Sequence, residues 1–266
     1  MIAKRLLAVT VALVVAGLPG TAVAQTFAAM VSPPRFELGV AAGKTERAVI
    51  EISNRSATSS RFHIRTADWT LTPDMDVQFQ DSLQSGSCRP WVAIERPEVV
   101  VPAGGTLRYR FEVAVPADAP DGECRFALMI DGADPSTAGA QNLKLPITGR
   151  IGVIVYVDVG ACAPQLEVFG PKVASLNGQL VPTLRVHNAG NAHGRMSGFL
   201  QGTDAKGIAY DFIPADFPIM PQEERAVFLI PSTATDEHPT INFPVTVRGT
   251  LEWGAQQKTK LEQTFE

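Results

Sequence analysis

The chain has 266 residues, 45% of them hydrophobic and 19% charged, with 23 basic and 27 acidic side chains and a formal net charge of −4. An acidic balance excludes a general nucleic-acid binder, which would carry a basic face, and the length exceeds what one small domain holds.

Residues 1–24 have a basic start (Lys4, Arg5), an apolar run over 6–18 and the small residues Ala22 and Ala24. This pattern predicts a secretory signal peptide cut before Gln25. The run is too short and wrongly flanked for a membrane span, and no later stretch approaches about twenty uninterrupted apolar residues. The mature chain is therefore expected to be exported and soluble, not inserted in a membrane. Losing Lys4 and Arg5 deepens its net charge to −6.

From residue 25 to 160 short alternating segments are separated by Gly, Pro, Asn, Asp and Ser, with no helical period, which predicts an all-β sandwich. The first, 29–40, is interrupted by Pro33 and Pro34 and must be an edge strand or one that switches sheets. Next come 45–53, with Ala48, Ile50 and Ile52 inward, and 61–71, with Phe62 and Ile64 on one face and Trp69 on the other. Segments 91–94, 107–115 and 124–130 follow, and the clean alternation of Leu107, Tyr109, Phe111, Val113 and Val115 makes the fifth segment a half-buried strand. A loop over 131–142, long for a compact domain, leads into the run LKLPITGRIGVIVYVDV at 143–159. Every second residue there except Gly149 is Leu, Ile or Val, at about three times the usual strand length. Its early part, with Leu143, Leu145 and Ile147, is expected to lack a partner, as Pro146 suits an edge, and an exposed apolar edge can add itself to another protein's sheet. Arg150 lies on the opposite face. Seven strands is the count of an immunoglobulin-like sandwich.

The pattern breaks at Gly160-Ala161-Cys162-Ala163-Pro164, where the domain boundary is expected. Residues 165–266 read as a second, smaller β-sandwich: 166–169, a hairpin joining 172–176 to 179–186 through Asn177-Gly178, then 196–201, 225–230, 245–253 and 258–265.

Export permits one disulfide and leaves one thiol over. If the strands run up and down, Cys88, Cys124 and Cys162 all fall near one end of the first domain, so geometry does not choose among the three pairings. Cys88 with Cys124 is preferred because both directly precede core strands, whereas Cys162 follows the long strand in the linker. No metal or cofactor is expected: His187 and His193 flank the turn NAGNAHG without a third ligand, and Asp74, Asp76 and Asp81 lack the glycine and terminal glutamate of a calcium loop. No nucleophile, base or metal cluster marks an enzyme.

With these features the chain resembles the periplasmic pilus-assembly chaperones, the PapD-like family of the chaperone–usher pathway, over nearly all of the mature sequence. In that family an arginine near the start of the first strand and a basic residue on the seventh hold the C-terminal carboxylate of a pilus subunit; the resemblance puts these at Arg35 in SPPRFEL and Arg150 in TGRIGVIVYV. The family's donor residues, alternating apolar side chains before the second basic position, match Leu143, Leu145 and Ile147 in place and parity. Glu123 in DGECRFALMI occupies the place of a family glutamate, and RGTLEWGAQ looks like the family's terminal segment in the second domain. The Phe-Tyr-Arg-Pro ending of the seventh strand is missing, which takes away the arginine expected to face Glu123 across the two domains. The resemblance implies two immunoglobulin-like β-sandwich domains, with Arg35 and Arg150 side by side facing the cleft. It implies a non-enzymatic chaperone located in the periplasm that binds pilus or fibre subunits by donor-strand complementation and delivers them to an outer-membrane usher. The alternative is a periplasmic or cell-surface structural or adhesion protein whose 143–147 segment is covered within its own chain.

Overall fold

The computed structural model describes residues 27–73, 75–133, 136–138, 145–147, 149–233 and 239–266. The segment 1–24 expected to be a signal peptide, Asp74 and Leu143 lie outside the described residues. The first sandwich contains β1 (Ala29–Ser32), β2 (Arg35–Gly39), β3 (Thr45–Asn54), β4 (Ser60–Leu71), β5 (Val77–Gln80), β6 (Val92–Ile94), β7 (Glu98–Val101), β8 (Thr106–Ala114), β9 (Gly122–Gly132), β10 (Ser136–Ala138), β11 (Leu145–Ile147) and β12 (Arg150–Val159). The second contains β13 (Leu166–Leu176), β14 (Gln179–Asn188), β15 (Leu200–Asp204), β16 (Ala209–Pro214), β17 (Glu224–Ser232), β18 (Val245–Trp253) and β19 (Gln257–Phe265). No α-helix occurs among the described residues, and no helix there is long and apolar enough to cross a membrane.

In the first sandwich one sheet has the order β1-β3-β8-β6 and the other β2-β12-β9-β4-β5, with β7 beside the start of β4. Alternation sends Ile50, Ile52, Phe62, Ile64, Tyr109, Phe111, Phe126, Leu128, Val153 and Val155 into the space between them, each no more than 2% exposed. Burying a side chain of this size contributes roughly 1.5–3 kcal/mol. Trp69 points the other way, onto the outer face of the second sheet, as its parity requires. The interruption at Pro33 and Pro34 is a sheet switch: β1 pairs antiparallel with β3 and β2 pairs parallel with β12. Proline has no N–H to give to a ladder, so the chain leaves one sheet where it would owe a bond and joins the other.

The run over 143–159 is not one strand. The ladder of β12 begins at Arg150, and β11 pairs antiparallel with β10, Ala138 opposite Leu145 and Ser136 opposite Ile147. The early part therefore has a backbone partner within the chain, contrary to the expectation that it would be bare. Period two cannot show such a break, because a strand that stops and restarts in register keeps its parity. Phe27 packs its ring against Gly149, in the space a side chain there would fill.

The second sandwich is one sheet folded over itself, in the order β13-β14-β17-β16-β15-β18-β19. The start of β17 pairs with β14 and its end with β16, so this strand carries the fold-over. Asn177 and Gly178, with φ of 51° and 84°, make the expected hairpin turn, whose two left-handed residues suit Asn-Gly. β13 runs unbroken through a bulge between Phe169 and Pro171, where two segments were expected. β16 was not foreseen, since Pro214 and the outward Ile213 blur its pattern.

Two buried devices yield expectations about stability. Cys88 and Cys124 are bonded across 36 residues and Cys162 is free, the pairing preferred from sequence. Replacing both bonded cysteines by serine should lower stability by roughly 2–4 kcal/mol in chemical denaturation, while Cys162→Ser leaves the non-reducing peptide map unchanged. In the second sandwich the buried Asp204 carboxylate accepts from the N–H groups of Lys206 and Ile208, from Tyr210 Oη and from the backbone and side chain of Asn242. Burial alone would raise its pKa, but these donors outweigh it and hold the group well below the ordinary range. Its stabilisation is complete above the unfolded value of about 3.9 and is lost as the pH falls towards the folded value. Asp204→Asn should therefore flatten the acid limb of the stability–pH curve below about pH 4, read by thermal melting.

Candidate functional site

The outer face of the β2-β12-β9-β4-β5 sheet meets the second sandwich, and the candidate site is built on it. Even-numbered residues of β12 lie on this face, so Arg150, Gly152, Ile154, Tyr156 and Asp158 are presented in line. The parallel register sets Arg35 opposite Ile154 and Glu37 opposite Tyr156. On the other side Arg150 pairs with Asp131, Tyr156 with Arg125 and Asp158 with Glu123. Gly152 is small because the ring of Phe79 lies directly over it.

The end of this face nearest the linker is the joint between the sandwiches. Glu123 has a fully buried carboxylate; Oε2 accepts from the backbone N–H of His193 at 3.0 Å and from the His193 ring Nδ1, while Oε1 has no partner. His193 also stacks on Tyr156, with ring centroids 3.9 Å apart, and its Nε2 stands 3.9 Å from Glu37. This histidine, read from sequence as a turn residue or weak metal candidate, takes the position across from Glu123 that the missing arginine left open. Among the described residues no group of three or more His, Cys, Asp and Glu is placed to hold a metal.

The turn that delivers His193 is fixed by close backbone approach. Gly190 lies so near the linker that a Cβ there would stand 2.3 Å from Ala163 O. Asn191 donates to Ala161 O at 2.8 Å and accepts from Ala163 N–H at 3.0 Å, and its own carbonyl accepts from Glu123 N–H at 2.8 Å. On the β4 side Arg225 donates from the second sandwich to Thr72 O at 3.1 Å, and Met220 packs with Trp69, Ala127, Met129 and Tyr156. Burial pushes the Tyr156 phenol up to about 12 despite the nearby charge of Arg195. Cys162 is also pushed up to about 12, by burial and by the Asp158 carboxylate to which its thiol donates, so it stays a thiol at neutral pH.

The two arginines assigned from the resemblance share this face but do not sit side by side. Arg35 is four residues along β12 from Arg150, about 13 Å at the usual rise per residue. Each is half-exposed and pairs with its own carboxylate, Arg35 with Glu37 at 3.0 Å and Arg150 with Asp131 at 2.8 Å. Asp131 is shared with Arg65, also at 2.8 Å. Leu145 and Ile147 lie on β11, just before the start of β12.

A buried polar group that loses its hydrogen-bond partner is left unsatisfied, at a cost of roughly 1–3 kcal/mol. His193→Ala should therefore loosen the joint by an amount of that order, seen as one unfolding transition splitting into two by calorimetry, with new proteolytic cleavage near residues 160–165.

No family model matches this chain, and no curated protein sequence matches it. Among solved structures it is similar to the class 5 fimbriae chaperone CfaA, at 14% identity over 90% of this chain and 99% of that one, with a TM-score of 0.48. It is similar to a chain of the Salmonella enterica SafA pilin complex with the SafB chaperone, at 12% identity over 90% of this chain and 97% of that one, TM-score 0.49. It is also similar to a chain of the CsuC–CsuE chaperone–tip adhesion subunit pre-assembly complex, from the archaic chaperone–usher Csu pili of Acinetobacter baumannii. There the identity is 15% over 90% of this chain and 99% of that one, with a TM-score of 0.45.

Proposed function

We propose that this chain is a non-enzymatic periplasmic chaperone that takes up a strand-deficient pilus or fibre subunit by donor-strand complementation and hands it to an outer-membrane usher. The observation that carries this reading is an open backbone edge inside a well-packed sheet. β12 is paired along its whole length with β9, but β2 covers only Ile154–Asp158 on the other side. Among the described residues no strand pairs that other edge at positions 150–153. An extended segment laid there would gain main-chain hydrogen bonds, and the alternate side chains of β11 and early β12 would enter the gap in the subunit's core. In this reading Leu143, Leu145 and Ile147 are the donor residues. Arg35 and Arg150 supply charge-assisted bonds to the subunit's carboxylate, each exchanging its present carboxylate partner for that of the subunit. Because the two stand about 13 Å apart, an incoming chain would meet them one after the other. The division into a 25–160 chaperone domain and a 165–266 second domain, after a cleaved 1–24 signal peptide, belongs to the same proposal.

One observation favours a second reading, a structural or adhesion protein: β11 already pairs with β10 of its own chain. That pairing occupies only one edge of β11, so the readings separate experimentally. Co-expression with an N-terminally tagged pilus subunit is the test. Wild type should co-purify with the subunit and keep it soluble, while Leu145→Asp keeps the wild-type melting temperature and captures at least tenfold less. Arg35→Ala and Arg150→Ala should each reduce capture without lowering the melting temperature. Unfolding of the Leu145→Asp variant, or equal capture by all four proteins, would leave the structural reading standing.

A further inference from the structure

A cleft of about 410 Å³ opens between the sandwiches on the β4 side, lined by Trp69, Ser87, Glu123, Arg125, Met220 and Pro221 among others. The guanidinium of Arg125 lies 5.3 Å above the centre of the Trp69 ring. Among the described arginines, all but Arg55 and Arg125 have a carboxylate within 4.0 Å. Arg55 is exposed at a strand end, where water solvates it; Arg125 is partly withdrawn from water between two domains. A cation so placed without a counter-charge is unfavourable, and stacking on the indole offsets only part of that.

Neither acid that lines the cleft pairs with Arg125. Asp68 accepts from Gln84 N–H, the Ser87 hydroxyl and Arg89, which fixes the loop forming one wall. Glu123 is turned to His193 through Oε2, while its Oε1 is buried without a partner. A second unsatisfied donor stands beside Arg125: Trp69 Nε1 is buried and has no acceptor. An arginine with no anion and an indole N–H with no acceptor, adjoining in one cleft, ask for the same ligand chemistry, a planar oxyanion that a guanidinium can grip with two bonds.

We propose that Arg125 and Trp69 form a carboxylate-binding site in the cleft between the sandwiches, apart from Arg35 and Arg150. That the carboxylate belongs to a bound subunit rests on the chaperone reading; the site itself does not. The geometry separates the site from the open edge of β12, so a subunit would be held at its added strand and again at an acidic group reaching the domain joint.

The Trp69 indole resonance in ¹⁵N-labelled protein, assigned through Trp69→Phe, reports on the site directly. N-acetylphenylalanine supplies a terminal carboxylate, N-acetylaspartic acid diamidated at neither acid supplies two, and N-acetylphenylalaninamide supplies none. The acids should shift the resonance saturably and the amide at least tenfold more weakly; a stronger shift per carboxylate by either acid names the kind of group accommodated. Arg125→Gln should abolish the preference for acid over amide, Arg125→Lys should weaken acid binding about tenfold while keeping the charge, and Arg55→Gln should bind as wild type does. Equal binding of acid and amide, or wild-type binding by Arg125→Gln folded to the wild-type melting temperature, overturns the site; if the Gln variant fails to fold, wild-type binding by Arg125→Lys overturns it instead. In subunit capture, equal recovery by wild type and Arg125→Gln overturns the subunit's use of the site, whereas failure of wild type itself to capture strikes the chaperone reading and leaves the titration to decide the site.

Discussion

Five residues of β2 pair in parallel with five of the ten residues of β12, and the chain then turns away at Pro34 and Pro33 to join the opposite sheet. Two demands meet at this point. The first strand is needed in both sheets, since β1 flanks β3 and closes the core near Phe27 and Phe62. It also cannot donate from either proline. The result is a central strand whose neighbour is present along one half and missing along the other. Open edges are ordinarily blunted by charge, proline or a covering loop; here Arg150 is the one charged residue over the open half, and it faces outward from the core.

The second sandwich matters because it decides what stands over that face. Its contacts are concentrated at the linker end: the Asn191 turn, His193 on Tyr156 and Glu123, Arg225 on the end of β4, and Met220 against Trp69. Toward Arg150 the described face carries groups of its own sheet, the Phe79 ring over Gly152 and the ion pairs of Arg65 and Arg150 with Asp131. The joint thus combines one buried carboxylate–imidazole contact with aromatic stacking, and the contact's value lies less in net energy than in orientation. A carboxylate withdrawn from water tolerates few geometries, so the ring of His193 and the turn behind it are held where Glu123 accepts them. The close backbone approach at Gly190 serves the same end by setting the linker against that turn.

Alternation made the sandwich class and the inward residues legible, because a strand with one buried face must repeat at two. Phe62, Ile64 and Trp69 fell on the faces their parity required, and Asn177-Gly178 announced its hairpin through the φ values it must adopt. What stayed hidden was register and pairing between distant segments. Sequence placed Arg35 on the first strand and Arg150 on the last, but their separation is set by a parallel offset that neither strand records. The break before β12 was hidden because parity survives it, and β16 because its outward Ile213 and the proline after it blur the alternation. His193 carried a faint signal, a histidine inside a glycine-rich turn, yet its partner lies 70 residues away on another sheet. Arg125 carried none: an arginine on a strand looks the same whether it has a counter-charge or lacks one.

Edge pairing and charge solve different parts of one recognition problem. Backbone bonds along an open edge are nearly indifferent to sequence, and an added strand displaced by one residue turns every side chain to the wrong face. Affinity from the edge alone would therefore come with poor register. A fixed cation removes that degeneracy, because an oxyanion can meet a given guanidinium at only one place along the added strand. On this face the cations are spread from Arg150 beside the open edge, through Arg35, to Arg125 near the joint. Their spacing is set by the sheet itself, since Arg125 lies on β9 opposite Tyr156 of β12, while the Glu123–His193 contact belongs to the joint at which Met220 and Pro221 of the second sandwich line the cleft with Arg125.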